Sequence, residues 1–135
     1  GPVITGLEIA RLIRQASNKG LIMEIHAEGL CASACTVVLA AGTPGKRFVE
    51  GSTLILVHPL QRGGGYGGAT CVKYVHDPKT EEDKAINTLM DFLRNAYVRY
   101  TGRTLTEVET WLTCDNEQVG GGSLAVTLGI ADHVE

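Results

Sequence analysis

The chain has 135 residues, a length that predicts one domain spanning residues 1–135. Its composition, 44% hydrophobic and 20% charged, is that of a globular protein rather than a disordered chain. The net charge of −3, without any basic block in the sequence, argues against a nucleic-acid-binding protein. No run of about 20 apolar residues is present, so the sequence predicts no membrane span.

The first half of the chain predicts helices that alternate with strands. Apolar residues at helical spacing predict a helix over residues 7–19, and alternating apolar residues predict a strand over 21–27. Small apolar residues over 33–41 predict a helix that is buried on all sides. Two strands follow, over 46–50 and 53–57, and the second is apolar enough to be buried on both faces.

The second half is dominated by one long helix between two glycine-rich segments. The first segment, residues 63–68, is nearly all glycine, which predicts a loop or an edge ribbon rather than packed core. Thr80 is placed to cap the long amphipathic helix, Gly102 to end it, and TLTE at 104–107 to open a shorter helix. A glycine cluster at 120–122 precedes a last short helix, and the alternation of helices and strands predicts an α/β fold.

Ser33 and His58 are the candidates for chemistry in this pattern. Ser33 opens the buried helix just after a strand, where serine is ordinarily a helix N-cap. A nucleophile there would also be served by the amide of Ala34, which could stabilise an oxyanion. His58 ends a strand and Pro59 turns the chain immediately after it. Because ligands of open α/β sheets gather beyond the carboxyl ends of strands, His58 is positioned to take a proton from Ser33.

Several segments, in order along the chain, resemble the proteolytic subunit of the Clp protease family (ClpP). They are GLCASACT at 29–36, LAAG at 39–42, GKRF at 45–48, ILVHP at 55–59, GGYGGAT at 64–70, YTGRTLTE at 100–107 and LGIAD at 128–132. The resemblance implies a ClpP/crotonase fold, which is a repeated β-β-α spiral. It also implies serine endopeptidase activity on peptides or proteins, without a cofactor, in a ring-shaped homo-oligomer. An ATP-dependent unfoldase is a further potential partner.

The resemblance carries the family's nucleophile onto Ser33 and its base onto His58. The family's acid falls on Asp115, which would hold the imidazole in the useful tautomer, although Asp115 could equally be a solvated loop residue. Asp132 is a rival acid whose setting resembles a structural C-terminal strand. Gly1 aligns with a family segment that supplies an amide of the oxyanion hole.

Three features depart from the family's pattern. Pro59 follows His58 directly, where the family usually has one residue between them. Glycines at 120–122 lengthen the stretch after Asp115. Residues 1–6 align with the tail of a Ser-Pro-Gly-Gly segment, so we expect the chain to lack the N-terminal part of the fold.

The four cysteines are neither paired as CxxC nor set beside closely spaced histidines, so we expect no metal site. Cys31 and Cys35 flank Ser33, a pattern that resembles an exported branch of the superfamily; either a cytoplasmic or an exported location fits the sequence. Buried free thiols are favoured over disulfides. If disulfides form, the candidate pairs are Cys71–Cys114 and Cys31–Cys35, the second with awkward geometry at a strand–helix junction.

Other functions stay open beside the serine peptidase. A non-catalytic assembly module would keep the fold and cleave nothing, and crotonase-like acyl-CoA chemistry would not need the Ser33–His58 pair. A cysteine nucleophile at Cys31 or Cys35 is disfavoured, since two residues along a strand or helix move a side chain off the line to His58. We expect self-association through the helix over 80–100 and the segment 63–68. A glycine-rich ribbon beside a strongly amphipathic helix is stable only if another surface covers it, and a closed symmetric oligomer supplies that surface.

Overall fold

The computed structural model describes residues 2–63 and 68–135. Its helices are α1 (Val3–Asn18), α2 (Ala34–Ala40), α3 (Glu81–Thr101), α4 (Leu105–Trp111) and α5 (Gly122–Thr127). Its strands are β1 (Ile25–Ala27), β2 (Leu30–Ala32), β3 (Arg47–Val49), β4 (Leu54–Val57), β5 (Gln61–Gly63), β6 (Ala69–Cys71), β7 (Gln118–Gly120) and β8 (His133–Val134). Gly1 and residues 64–67, which include most of the first glycine-rich segment, lie outside the described residues.

The first four strands alternate between two three-stranded sheets, and β7 and β8 each add one strand to a sheet. One sheet has the order β1-β3-β8 and is entirely parallel; the other has the order β2-β4-β7, with β7 antiparallel to β4. The chain therefore enters one sheet, crosses to the second and returns through a helix. This repeated β-β-α turn confirms the predicted α/β fold of the ClpP/crotonase type. Strands β5 and β6 form a separate antiparallel hairpin.

Helix α2 lies at the centre of the core, as its small apolar sequence predicts. Thr36, Val37 and Ala40 are fully buried. Helix α1 packs closely against it, because a Cβ atom added to Gly6 would lie only 2.6 Å from the Cβ atom of Ala34. The glycine therefore sets the closest approach of α1 to the start of α2.

Two strand predictions were wrong in part. The strand predicted over 21–27 shortens to β1, and Leu21 is 62% exposed, because the residues before β1 have no strand partner. Strand β4 is buried on one face only: Ile55 and Val57 are fully buried, whereas Leu54 is 48% exposed. The outer face of the β2-β4-β7 sheet is not covered by the described residues, so β4 alternates instead of being buried on both faces.

The boundaries of α3 and α4 are those that the capping residues predict. The Thr80 hydroxyl accepts a hydrogen bond from the Asp83 amide (3.0 Å), and Gly102 ends the helix in the left-handed conformation at φ 73°. The Thr104 hydroxyl caps α4 in the same way, accepting from the Glu107 amide at 3.2 Å. Strands β2 and β7 were not predicted, because each lies beside glycine, Gly29 before β2 and the cluster at 120–122 at the end of β7, which is typical of a break between elements.

A buried arginine ties α2, α3 and the C-terminal segment together. Arg47 Nη1 donates to the carbonyl oxygens of Ala40 (3.1 Å), Tyr100 (3.0 Å) and Gly129 (2.9 Å). Its Nε and Nη2 atoms donate to the two carboxylate oxygens of Asp132 at 2.9 and 2.7 Å. These hydrogen bonds hold the pKa of Asp132 below its ordinary value. Asp132 is therefore committed to the fold, which removes it as a rival catalytic acid.

Candidate functional site

Ser33 lies at a sharp turn between β2 and α2. Its backbone has φ 55° and ψ −120°, and among the described residues it is the one non-glycine residue with positive φ. A side chain in this region is sterically costly and persists only where the surroundings hold the backbone in place. Such positions cluster at functional sites. The turn therefore marks Ser33 as a residue whose backbone is constrained by its neighbours.

Ser33 does not act as the helix N-cap. Its hydroxyl makes no capping hydrogen bond to α2, which a conventional N-cap serine would make. The backbone of the turn is held instead by other groups: the Ser33 amide donates to the Leu56 carbonyl at 2.8 Å, and the Ser33 carbonyl accepts from the Thr36 amide at 2.9 Å. Within the described residues, the Ser33 hydroxyl has no hydrogen-bond partner, so it is available for chemistry.

A buried hydrogen-bond chain extends this support to α3. The Thr36 hydroxyl donates to the Ser33 carbonyl at 2.7 Å, so its proton is already used. The Tyr97 hydroxyl, 2.6 Å from the Thr36 oxygen, must then be the donor in that contact. Tyr97 is 1% exposed, and its burial raises its pKa to about 12. The phenol therefore stays protonated and the chain Tyr97–Thr36–Ser33 stays intact at ordinary pH.

His58 follows β4 at the same edge of the sheet at which Ser33 follows β2. Strands β2 and β4 are parallel and pair Ala32 with Leu56, so both chains pass beyond the strand ends side by side. Adjacent strands lie about 4.8 Å apart, which brings the two residues into neighbouring positions. The His58 ring is half-buried, and its Nδ1 atom lies 2.7 Å from the carbonyl oxygen of Pro59. No hydrogen bond joins His58 to Ser33 in the part of the chain that the structure describes.

Asp115 lies in the exposed loop between α4 and β7. Two restraints bring this loop towards the end of β4: Gln118 of β7 pairs with Val57, and Cys114 is bonded to Cys71. The Asp115 side chain nevertheless forms no hydrogen bond with any residue that the structure describes, His58 included. The structure thus brings Ser33 and His58 to one edge but does not connect Asp115 to them.

Of the two predicted oxyanion-hole residues, the structure describes Ala34 but not Gly1. Ala34 is the first residue of α2 and is buried, and its amide has no acceptor one turn earlier in the helix. The oxyanion-hole role of this amide stays a prediction. Gly1, the second predicted oxyanion-hole residue, lies outside the described residues.

The four cysteines form two disulfides, which corrects the expectation of free thiols. Cys31 of β2 is bonded to Cys35 of α2, with Cα atoms 5.2 Å apart, so the bridge spans Ser33. Cys71 is bonded to Cys114, with Cα atoms 5.7 Å apart. The expectation failed because sequence spacing does not reveal which Cα atoms approach within about 7 Å. With both sulfurs bonded, neither Cys31 nor Cys35 presents a thiolate nucleophile.

Sequence reasoning missed Thr36, Tyr97 and the Pro59 carbonyl. Thr36 follows Ser33 by three residues, the spacing at which a helical side chain reaches back to a carbonyl, and this was the available signal. Tyr97 belongs to the apolar stripe of α3 and gave no separate signal.

Over residues 2–63 and 68–135, no three His, Cys, Asp or Glu side chains group closely enough to hold a metal ion. Among the described helices, none combines the length and the hydropathy that crossing a membrane requires.

The fold and the site together define an α/β protein of the ClpP/crotonase type, with a serine at a strand–turn–helix junction beside a histidine at the next strand end. Comparison with known proteins agrees. The family model described as Clp protease matches residues 1–135, and the chain belongs to that family.

Curated relatives carry the same family name at low identity. An ATP-dependent Clp protease proteolytic subunit of Mesostigma viride is 33% identical over 88 residues, 65% of this chain and 35% of the relative. A proteolytic subunit 1 of Corynebacterium diphtheriae is 31% identical over 106 residues, 78% of this chain and 46% of the relative. Proteolytic subunit 1 of Tropheryma whipplei is 26% identical over 107 residues, 78% of this chain and 47% of the relative. The chain therefore spans less than half the length of these relatives.

Proposed function

We propose that this protein is a serine endopeptidase that hydrolyses peptide bonds with Ser33 as nucleophile and His58 as general base. The observation that carries the proposal is the backbone of Ser33, which adopts φ 55° while its hydroxyl leaves the helix uncapped. Membership of the Clp protease family supports the same reaction class. Asp115, the acid that the sequence resemblance assigns, remains a prediction.

The chemistry would follow from the two strand ends. His58 Nε2 would take the proton of the Ser33 hydroxyl as its oxygen attacks the peptide carbonyl, and would later return that proton to the leaving amine. The Ala34 amide would donate a hydrogen bond to the oxyanion of the tetrahedral intermediate. Water would then release the acyl group from Ser33 by the same proton transfers, so no cofactor is needed.

The test is labelling of the natural full-length protein with a serine-directed fluorophosphonate at neutral pH. We expect Ser33 to be labelled, Ser33→Ala to abolish labelling, and His58→Ala to suppress it by about 100-fold or more, because the bare hydroxyl is a poor nucleophile. Ser52→Ala is the matched control, since Ser52 is exposed and its hydroxyl donates a hydrogen bond to the Glu50 carboxylate. Equal labelling of the wild type and Ser33→Ala would refute the proposal.

A non-catalytic assembly module is the second candidate function. It is favoured by the absence of any hydrogen bond among Ser33, His58 and Asp115 in the described residues. Wild-type protein that shows no labelling, beside a control serine peptidase that is labelled under the same conditions, would favour this function over the peptidase.

We also propose that the protein self-associates through α3, as a ring-shaped homo-oligomer acting on peptide or protein substrates. An ATP-dependent unfoldase partner is part of the same proposal, supported by the name of the curated relatives. The support in this chain is the apolar surface beside α3, where Phe92 is 62% exposed and Ile4 of α1 65% exposed. Light scattering at tens of micromolar should show an oligomer that Phe92→Glu dissociates. Lys84→Glu is the control, because it introduces the same side chain at an exposed position of α3 that does not line this surface.

A further inference from the structure

We propose that the main-chain carbonyl of Pro59, and not a carboxylate, is the group that orients His58. The inference rests on the proposed function, because an orienting group matters only if His58 acts as the base for Ser33. His58 Nδ1 lies 2.7 Å from the Pro59 oxygen. A carbonyl oxygen can only accept a hydrogen bond, so Nδ1 carries the proton. The neutral ring then has its lone pair on Nε2, which is the form that a general base requires.

The Pro59 carbonyl is held firmly enough for this role. The proline ring is fully buried and fixes its own φ angle. The next residue, Leu60, is 8% exposed, and its carbonyl accepts a hydrogen bond from the Val72 amide at 2.8 Å. Both sides of the Pro59 peptide group are therefore anchored. The direct sequence His58-Pro59 places this rigid carbonyl within reach of the ring that precedes it.

No carboxylate competes with this contact among the described residues. Asp115 is exposed and forms no hydrogen bond there, and Asp132 is occupied by Arg47 through two oxygen contacts at 2.9 and 2.7 Å. Glu117, the other acid of the Asp115 loop, is exposed as well. The Pro59 oxygen is the hydrogen-bond partner that the structure gives to the His58 ring.

A carbonyl and a carboxylate differ in one respect that an experiment detects. Either group fixes the tautomer and the orientation of the ring, but only a carboxylate places a full negative charge beside the imidazolium. Removing a catalytic carboxylate shifts the imidazole to the wrong tautomer and slows the reaction by about 10⁴-fold. Removing a carboxylate that does not contact the ring changes neither the tautomer of the imidazole nor the rate of the reaction.

The first measurement is the rate of fluorophosphonate labelling of Ser33 in the full-length wild type, Asp115→Asn and Asp115→Ala. Glu117→Gln is the matched control, because it removes a charge from the same loop. We expect both Asp115 variants to react within about threefold of the wild type, with the same pH of half-maximal labelling. A loss of about a thousandfold or more in Asp115→Asn, with Glu117→Gln unchanged, would overturn the inference while leaving the proposed function intact.

The second measurement reads the tautomer directly and does not depend on labelling. Nitrogen NMR of histidine-labelled protein, with His58→Gln to assign the signals, should show neutral His58 protonated at Nδ1 in both the wild type and Asp115→Asn. A proton on Nε2 in the wild type, or a change of tautomer in Asp115→Asn, would overturn the inference. Wild-type protein with the Nδ1 tautomer but no labelling of Ser33 would overturn the proposed function, and with it the catalytic role of the carbonyl.

Discussion

The turn at Ser33 and the loop at Asp115 are built in opposite ways. The Ser33 turn is fixed by the Leu56 carbonyl, by Thr36 and Tyr97, and by the disulfide that spans it. The Asp115 loop is exposed. It is held by the Cys71–Cys114 bridge before it, by β7 after it, and by the Asn116 side chain, which donates to the Thr110 carbonyl at 2.7 Å.

The position of Ser33 therefore depends on packing against the core, whereas the position of Asp115 depends on the disulfide and the strand that flank its loop. Helix α2, which carries the turn, is braced at its other end by Arg47 and by Arg14, whose guanidinium donates to the Ala40, Ala41 and Gly42 carbonyls at 3.1 Å. Perturbing the core should therefore affect Ser33, while perturbing the disulfide that flanks the Asp115 loop should affect stability but not the reactivity of Ser33.

The largest expected effect comes from removing the brace on α2. Arg47→Met strands the Asp132 carboxylate and three carbonyl oxygens, and breaking a buried ion pair costs about 3–5 kcal/mol. Chemical denaturation should show this loss in the free energy of unfolding. Arg62→Met is the control, since Arg62 pairs with Glu82 at 2.7 Å on the surface, and such a pair contributes about 0–1 kcal/mol. An equal loss of unfolding free energy in the two variants would contradict the stabilising role of the buried Arg47 contacts.

The two disulfides should separate stability from reactivity. Cys71→Ser with Cys114→Ser opens a loop with a sequence separation of 43, and such bridges contribute about 2–4 kcal/mol. We expect this loss in the free energy of unfolding but little change in the rate of Ser33 labelling. Cys31→Ala with Cys35→Ala opens a bridge with a separation of 4, which should cost less stability but slow labelling more. The reverse pattern would contradict the comparison.

The effects of substituting Tyr97 and Thr36 on the free energy of unfolding should not be additive. Thr36→Val leaves the buried Tyr97 hydroxyl without its partner, which should cost about 1–3 kcal/mol, whereas Tyr97→Phe should cost about 0.5–1.5 kcal/mol. The double variant should be less destabilised than the sum of the two, because it leaves no unsatisfied hydroxyl. Thr88→Val, at an exposed position on α3, is the control and should change stability little. Strict additivity would show that the two hydroxyls do not interact.

The smallest effect is the pH dependence that Asp132 contributes. The hydrogen bonds from Arg47 lower its folded-state pKa below the ordinary value of 3.8, so the stabilisation is present above that pH and is lost as pH falls through the folded-state pKa. The free energy of unfolding should therefore fall more steeply below pH 3.8 in the wild type than in Asp132→Asn. Parallel profiles for the two proteins would contradict the prediction.

Much of the fold could be predicted from the sequence because its signals are local. Thr80, Gly102 and Thr104 mark helix ends through contacts within a few residues, and the small-residue run of α2 predicts its burial. The strand that ends before His58 was predicted as well, but the strand before Ser33 that pairs with it, β2, was not. Strands β2 and β7 escaped prediction because the glycines beside them are typical of strand breaks, whereas the equally short β1 and β3 lie inside longer strand-like segments.

What the tertiary structure decided involves residues that are distant in sequence. The pairing of Cys71 with Cys114, the contact of Thr36 with Tyr97, and that of Arg47 with Asp132 85 residues later have no local signature. The same holds for the backbone of Ser33, whose φ of 55° depends on Leu56 and Thr36 rather than on serine's own preference. Local patterns are fixed by neighbours along the chain, whereas these contacts exist only once packing has brought separate elements together.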